Sequence, residues 1–205
     1  MRWLAPWAPL LIACSTSSEL SLPGAGAGGH DDAPLDVSLG QFTGVDVPLV
    51  PLAPGQELTL TAAVQGGYVV YIAPRVRGLT TGEVEVRARV RDPASDELLI
   101  DEVRTPRLIA VSGDPSLFEP DLGQSREINH LVLCPHHSES VVLGRDLELE
   151  VTVTERAVAS PRHGVVSLPV RFACAPDGDL PLALRCSCQC APDAQQEALC
   201  YPDEP

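Results

Sequence analysis

The stretch Glu83-Val84-Glu85-Val86-Arg87-Ala88-Arg89-Val90-Arg91 decides the fold class. Val84, Val86, Ala88 and Val90 fall at every second position, and every residue between them is charged. Side chains of an extended chain point alternately to opposite faces, so this spacing makes one apolar and one charged face and predicts a half-buried β-strand. A helix would scatter the same valines around its circumference. The charged row is expected to face solvent and blunt edge pairing.

The same period of two recurs on both sides of this stretch. Upstream, Leu58, Leu60, Ala62 and Val64 alternate with Glu57, Thr59, Thr61 and Ala63. Gln65-Gly66-Gly67 then turns the chain into Tyr68-Val69-Val70-Tyr71-Ile72, which is apolar on both faces as a central strand is. Downstream, Asp92-Pro93-Ala94-Ser95-Asp96 has the composition of a turn, Glu97 to Val103 returns, and Arg107 to Val111 reads as another strand. Ser112 to Glu127, punctuated by Gly-Asp-Pro and Glu-Pro-Asp, reads as a long irregular loop. Ile128 to Cys134 and Ser140 to Leu143 follow as strands, then Asp146 to Thr154 with Leu147, Leu149, Val151 and Val153 inward. A turn around Ser160 to Gly164 leads to Val166, Leu168, Val170, Phe172 and Cys174 on one face. No long helical period occurs, and about nine short strands at roughly ten-residue spacing predict an all-β fold, an antiparallel immunoglobulin-like β-sandwich.

Composition limits the partners. The chain of 205 residues carries 28 acidic and 14 basic side chains, a net charge of −14 at pH 7, and every basic residue is Arg. So acidic a surface disfavours nucleic acid and anionic lipid headgroups as ligands. Aromatic residues are 4 % of the chain, so the core has to be built from Val, Leu, Ile and Ala.

The N-terminus carries a different pattern. Arg2 precedes an apolar run, Trp3 to Ile12, that has the length of a signal-peptide core and is too short to span a bilayer as a helix. The run ends in Leu11-Ile12-Ala13-Cys14, which resembles the lipobox of bacterial lipoproteins: an aliphatic residue, a tolerant position, a small residue, and a cysteine. The resemblance implies that residues 1–13 are a signal peptide and that the Cys14 thiol takes a diacylglyceryl group and becomes the new N-terminus. Acyl chains, palmitate among them, at about 0.8 kcal/mol per buried methylene then hold the protein on the membrane. Removal of residues 1–13 takes one Arg and leaves 13 − 28 = −15. Residues 14–34 form the lipidated Cys and a Ser- and Gly-rich tether, residues 35–174 the sandwich, and residues 175–205 a Cys- and Pro-rich tail. The tether would hold the domain about 25 Å from the lipid. His30-Asp31-Asp32 within it reads as a solvated charge run. With the Gly turn at Gln65 to Gly67 and the Cys-rich end, the chain is similar to uncharacterised β-rich envelope lipoproteins. That likeness implies a location on the cell envelope and brings no activity with it. Ser15 after the modified cysteine implies the outer rather than the inner membrane, by the sorting rule of such lipoproteins.

Six cysteines remain after Cys14: Cys134, Cys174, Cys186, Cys188, Cys190 and Cys200. An even number in an exported chain reads as three disulfides. Cys186, Cys188 and Cys190 would share one face of an extended segment, and near neighbours are poorly placed to bond one another. Each is therefore expected to pair with one of Cys134, Cys174 and Cys200, leaving six connectivities of 15 and pinning the tail onto the sandwich. The alternative is a Zn or Cu(I) site of Cys134, His136, His137, Cys186, Cys188 and Cys190, although neither stretch has C-x₂-C spacing. His136 and His137 otherwise read as polar turn residues after Pro135, and His130 as a satisfied wall or surface residue of its strand.

No G-x-S-x-G, H-E-x-x-H, P-loop or dinucleotide motif occurs in the sequence. The sequence therefore predicts a non-enzymatic, lipid-anchored envelope module, without cofactor, that offers loops to a protein or glycan partner. A periplasmic metal-binding lipoprotein is the alternative, and a hydrolase with a loop-built site a more distant one.

Overall fold

A computed structural model describes residues 33–42, 49–63, 67–122, 129–134, 142–175 and 186–190. The lipobox, nearly all of the tether, Val64 to Gly66, His136, His137 and Cys200 lie outside the described residues. All described elements belong to one unit, Asp31–Pro205. They are β1 (Asp36–Gln41), β2 (Val50–Pro51), β3 (Gln56–Ala62), β4 (Tyr68–Arg77), β5 (Val84–Asp92), β6 (Glu97–Arg104), β7 (Leu108–Val111), β8 (Asp114–Pro120), β9 (Asn129–Cys134), β10 (Asp146–Glu155), β11 (His163–Cys174) and a helical turn, α1 (Cys186–Gln189). The fold is all-β, with a Cys-rich end held by disulfides.

The strands form one mixed sheet in the order β2-β1-β4-β3-β11-β10-β5-β6, with β8 and β9 also on β4 and β7 on β8. Every pairing is antiparallel except β3 with β11, which is parallel and runs Gln56↔Val170 to Leu60↔Cys174. Strand β3 then changes partner, and Thr61 and Ala62 pair with Val69 and Tyr68 of β4. A strand that pairs first with one half of a sheet and then with the other makes the corner at which a sandwich folds over its own core.

Strand β4 is the hub of the other half. Phe42 N–H donates to the Tyr71 carbonyl and Ala63 N–H to the Gly67 carbonyl, so β1 and β3 share the β4 edge to which odd-numbered residues point. The even-numbered edge takes β9 over Tyr68 to Ile72 and β8 at Val76 and Arg77. Pro74 lies within this strand, opposite Leu39. The Leu39 carbonyl accepts from Leu52 of the loop after β2, so the Leu39–Pro74 pair is not hydrogen-bonded across β1 and β4. The nitrogen of Pro74 therefore faces the interval between β9 and β8, where a missing donor costs no ladder bond.

One core joins both halves. Val84, Val86, Ala88 and Val90 of β5, and Leu147, Leu149, Val151 and Val153 of β10, are at most 1 % exposed, with Val86, Ala88 and Val90 opposite Val153, Val151 and Leu149 in register. They pack in one cluster with Val70 and Ile72 of β4, Leu131 and Leu133 of β9, and Phe172 of β11. The alternation in the sequence is thus the partition between core and surface. The charged row of β5 has another role than the sequence suggests, because β5 lies between β10 and β6 and is not an edge. Arg87 donates to Asp101 at 2.7 Å and Arg89 to Glu150 at 3.2 Å, making cross-strand pairs on the outer face.

Ser112 to Glu127 also differs from its reading as a loop, because Asp114–Pro120 is strand β8. Gly113, at φ 91°, turns the chain so that β8 pairs back on β7. Prolines at both ends of the segment hide its strand character from composition.

Two charged residues sit in phase with the apolar rows. Asp92 continues the inward positions of β5, is 8 % exposed, pairs with Arg145 and accepts from Ala94 N–H at 2.9 Å. Glu155 continues those of β10 and is 2 % exposed. Its carboxylate accepts from Arg162 Nε at 2.8 Å and from Thr80 N–H at 2.6 Å. Arg162 Nη2 donates onward to the Gly78 carbonyl at 2.6 Å and to Thr80 Oγ1 at 2.8 Å. This knot ties the β4–β5 connection to the β10–β11 hairpin. Burial pushes the Glu155 carboxyl up, but the Arg162 guanidinium and the Thr80 amide outweigh it and hold the group below its ordinary 4.5. A depressed folded-state value stabilises the fold above pH 4.5 and ceases to do so as pH falls through that value. Urea denaturation at stepped pH is therefore expected to give Glu155→Gln a shallower acid loss of stability than the wild type. Glu155→Ala is expected to cost about 3–5 kcal/mol at pH 7 by stranding Arg162. Equal acid slopes would remove Glu155 from this role.

Candidate functional site: a four-sulfur node

Four cysteines meet at one end of the sandwich. Cys134 is the last residue of β9 and lies opposite Tyr68 of β4. Tyr68 lies opposite Ala62 of β3, and Leu60 of β3 lies opposite Cys174, the last residue of β11. Both cysteines thus stand where β9, β4, β3 and β11 come together at the corner. The chain returns there as α1, whose turn is closed by Cys190 N–H donating to the Cys186 carbonyl at 2.9 Å.

Disulfides join Cys134 to Cys190, with Cα atoms 5.2 Å apart, and Cys174 to Cys186, with Cα atoms 5.6 Å apart. The two bonds are neighbours: Cys186 Sγ lies 3.8 Å from Cys190 Sγ, and the sulfurs of Cys174, Cys186 and Cys190 all lie within 4.8 Å of one another. Cys134 and Cys186 are at most 2 % exposed, and with Cys190 they belong to the core cluster. The node is therefore both a covalent closure and part of the apolar interior.

The expectation of one shared face for Cys186, Cys188 and Cys190 is overturned, because the segment is helical rather than extended. Residues four apart share a helix face and residues two apart do not, so Cys186 and Cys190 point at the sandwich together. Cys188 is disulfide-bonded as well, to a partner outside the described residues. The two described bonds follow the expected rule that the cluster pairs with Cys134, Cys174 or Cys200. In the metal alternative, the structure brings Cys134, Cys186 and Cys190 together and adds Cys174, while Cys188 is not among the sulfurs that lie within 4.8 Å of one another. Its two imidazoles, His136 and His137, and the acidic run at His30 to Asp32 lie outside the described residues, Asp31 and Asp32 included.

Cys174 was legible as the last inward residue of its strand and as a disulfide candidate, but not as a member of the metal alternative. The i, i+4 spacing of Cys186 and Cys190 was the signal for a helical turn, but four residues are too few for a period to show.

Two other features were candidates. Phe42, just after β1, forms a row with Tyr71 of β4 and His130 of β9, with ring centroids 5.9 and 6.1 Å apart. His130 Nε2 lies 3.1 Å from Arg104 Nη2, and because Arg only donates, that nitrogen is the acceptor. This makes His130 a satisfied wall residue. A cleft between Glu83, Val84, Thr105, Pro106, Arg107 and Arg156 offers one carboxylate beside two guanidinium groups. No helix among the described residues is long and apolar enough to cross a membrane.

No protein-family model matches the chain, and no curated protein matches it significantly.

The energetic weight of the node follows from the loops it closes. The Cys134–Cys190 bond spans 56 residues and the Cys174–Cys186 bond spans 12. Chain entropy gives about 4 kcal/mol for the first and about 3 kcal/mol for the second. Denaturant unfolding of the paired variants Cys134→Ala/Cys190→Ala and Cys174→Ala/Cys186→Ala is expected to show both losses, with the first larger. Unchanged midpoints in both would contradict a covalent closure at the corner.

Proposed function

We propose that the protein is a lipid-anchored module of the cell envelope that binds a partner or serves a structural role, with its signal peptide ending at Ala13 and its anchor on Cys14. The observation that carries this reading is cysteine parity. All five described cysteines, Cys134, Cys174, Cys186, Cys188 and Cys190, are disulfide-bonded. Such use of cysteine fits an oxidising, exported location. Of the seven cysteines, only Cys14 and Cys200 are left to bond Cys188, so one remains over. Pairing Cys188 with Cys200 leaves Cys14, which is the cysteine that the lipobox assigns to lipid.

The β-sandwich supports the same reading on physical grounds. A rigid, covalently closed scaffold with many connecting loops suits recognition of a protein or glycan at the membrane surface, with the loops as the contact. The surface charge, −15 after cleavage, keeps the domain off anionic headgroups, so the lipid would be the attachment. Delivery to the outer membrane belongs to this reading through Ser15.

Metabolic labelling with an alkyne fatty acid, followed by membrane fractionation, tests the anchor. Wild type is expected to be labelled and membrane-bound. Cys14→Ser is expected to stay unprocessed and unlabelled while keeping its β-sheet circular dichroism. Undiminished labelling and processing of Cys14→Ser would overturn the reading.

A further inference from the structure

The convergence of the four sulfurs has a second chemical consequence, which does not depend on lipid anchoring. A tetrahedral thiolate site with metal–sulfur bonds of about 2.3 Å has sulfurs about 3.8 Å apart along each edge. Cys186 and Cys190 already stand at 3.8 Å, presented by one helical turn whose backbone fixes their spacing. Cys174 lies within 4.8 Å of both. Cys134 is bonded to Cys190 and so borders the same space. Its Cα is 5.2 Å from that of Cys190, and the Cys174 Cα is 5.6 Å from that of Cys186. Side-chain rotation at such separations moves each sulfur from bond distance to a tetrahedron edge while the strands stay in place.

We propose that, once both disulfides are reduced, Cys134, Cys174, Cys186 and Cys190 hold one Zn²⁺, or a similarly thiophilic divalent cation, as a four-thiolate site. Two equivalents of a dithiol reductant deliver four electrons and four protons, cleave both S–S bonds and leave as two disulfides. The four thiols then lose four protons as the metal–sulfur bonds form, giving a site of net charge −2. Thiolates are soft ligands, and a complete set of four protein ligands is the closed shell of a structural rather than a catalytic zinc. Cys188 is excluded because it lies two residues from either helical ligand, on another side of the turn. The oxidised and metal-bound forms are alternatives, each pinning α1 to the corner of the sandwich, so the node keeps its closure in either redox state.

The full-length protein, reduced with a phosphine under anaerobic conditions, provides the test. Titration with Co²⁺ is expected to give one tight equivalent with the intense visible bands of tetrahedral thiolate cobalt, displaced by one equivalent of Zn²⁺. The oxidised protein is expected to give none. In the Zn²⁺-loaded wild type, Cys134, Cys174, Cys186 and Cys190 are expected to resist alkylation while Cys188 reacts, which needs no variant to fold. Cys174→Ser, which removes one of the four ligands, is expected to weaken Co²⁺ binding by more than the roughly tenfold that loss of an outer-shell partner costs, and Cys188→Ser to leave it unchanged. Absence of stoichiometric binding by the reduced protein, alkylation of Cys174 in the loaded form, or protection of Cys188 would each overturn the proposal.

Discussion

The corner made by β3 is the constraint on which the rest of the molecule depends. A single strand carries two pairings, parallel to β11 over Gln56 to Leu60 and antiparallel to β4 at Thr61 and Ala62. It makes two half-sheets into one continuous sheet around one core. A strand that serves two neighbours holds each over only a few residues, five on one side and two on the other. The adjoining ends are where such a sandwich is most open to fraying. The cysteines lie at those ends, on Cys134 opposite Tyr68 and on Cys174 opposite Leu60. Covalent closure thus supplements a ladder that at Thr61 and Ala62 is only two residues long.

The same economy appears at the other connections. Glu155 and Arg162 replace apolar packing at the end of β10, where the inward row meets two turns and their peptide groups need partners. Asp92 with Arg145 does this at the end of β5. Each is a charge at a core-facing position, tolerable because a guanidinium and a backbone amide satisfy it. The outer face of β5 uses the opposite logic, with exposed cross-strand pairs such as Arg87–Asp101 that are individually weak. Stability therefore rests on the alternating apolar rows, the two buried charged knots and the sulfur node.

The sequence was most legible where burial has a period. Val84 to Val90 and Leu147 to Val153 announce both the strands and their inward faces, because the same alternation that defines a strand separates core from solvent. It was least legible where the decision is non-local. Nothing within β3 or β11 specifies a parallel partner, since direction depends on how the intervening chain crosses over. Pro115 and Pro120 read as loop punctuation, yet pairing with β7 and β4 makes Asp114–Pro120 a strand. In the sulfur node, the even cysteine count and the rule of pairing with distant partners were legible. The helical turn was not, because a four-residue segment is shaped by its tertiary contacts rather than by its own pattern. Glu155 could have been noticed, as it is in phase with four buried apolar residues and two positions beyond the last of them.

The chain closes on itself at the corner of the sandwich through Cys134 to Cys190 and Cys174 to Cys186. Peptide mass spectrometry of the non-reduced protein tests it most directly, with gas-phase fragmentation between Cys186 and Cys190 to separate the two bonds, since the sequence offers no Arg between them. Fragments that link Cys134 with Cys190 and Cys174 with Cys186 are expected. A bond between Cys134 and Cys174, or free thiols at these positions in the oxidised protein, would contradict it.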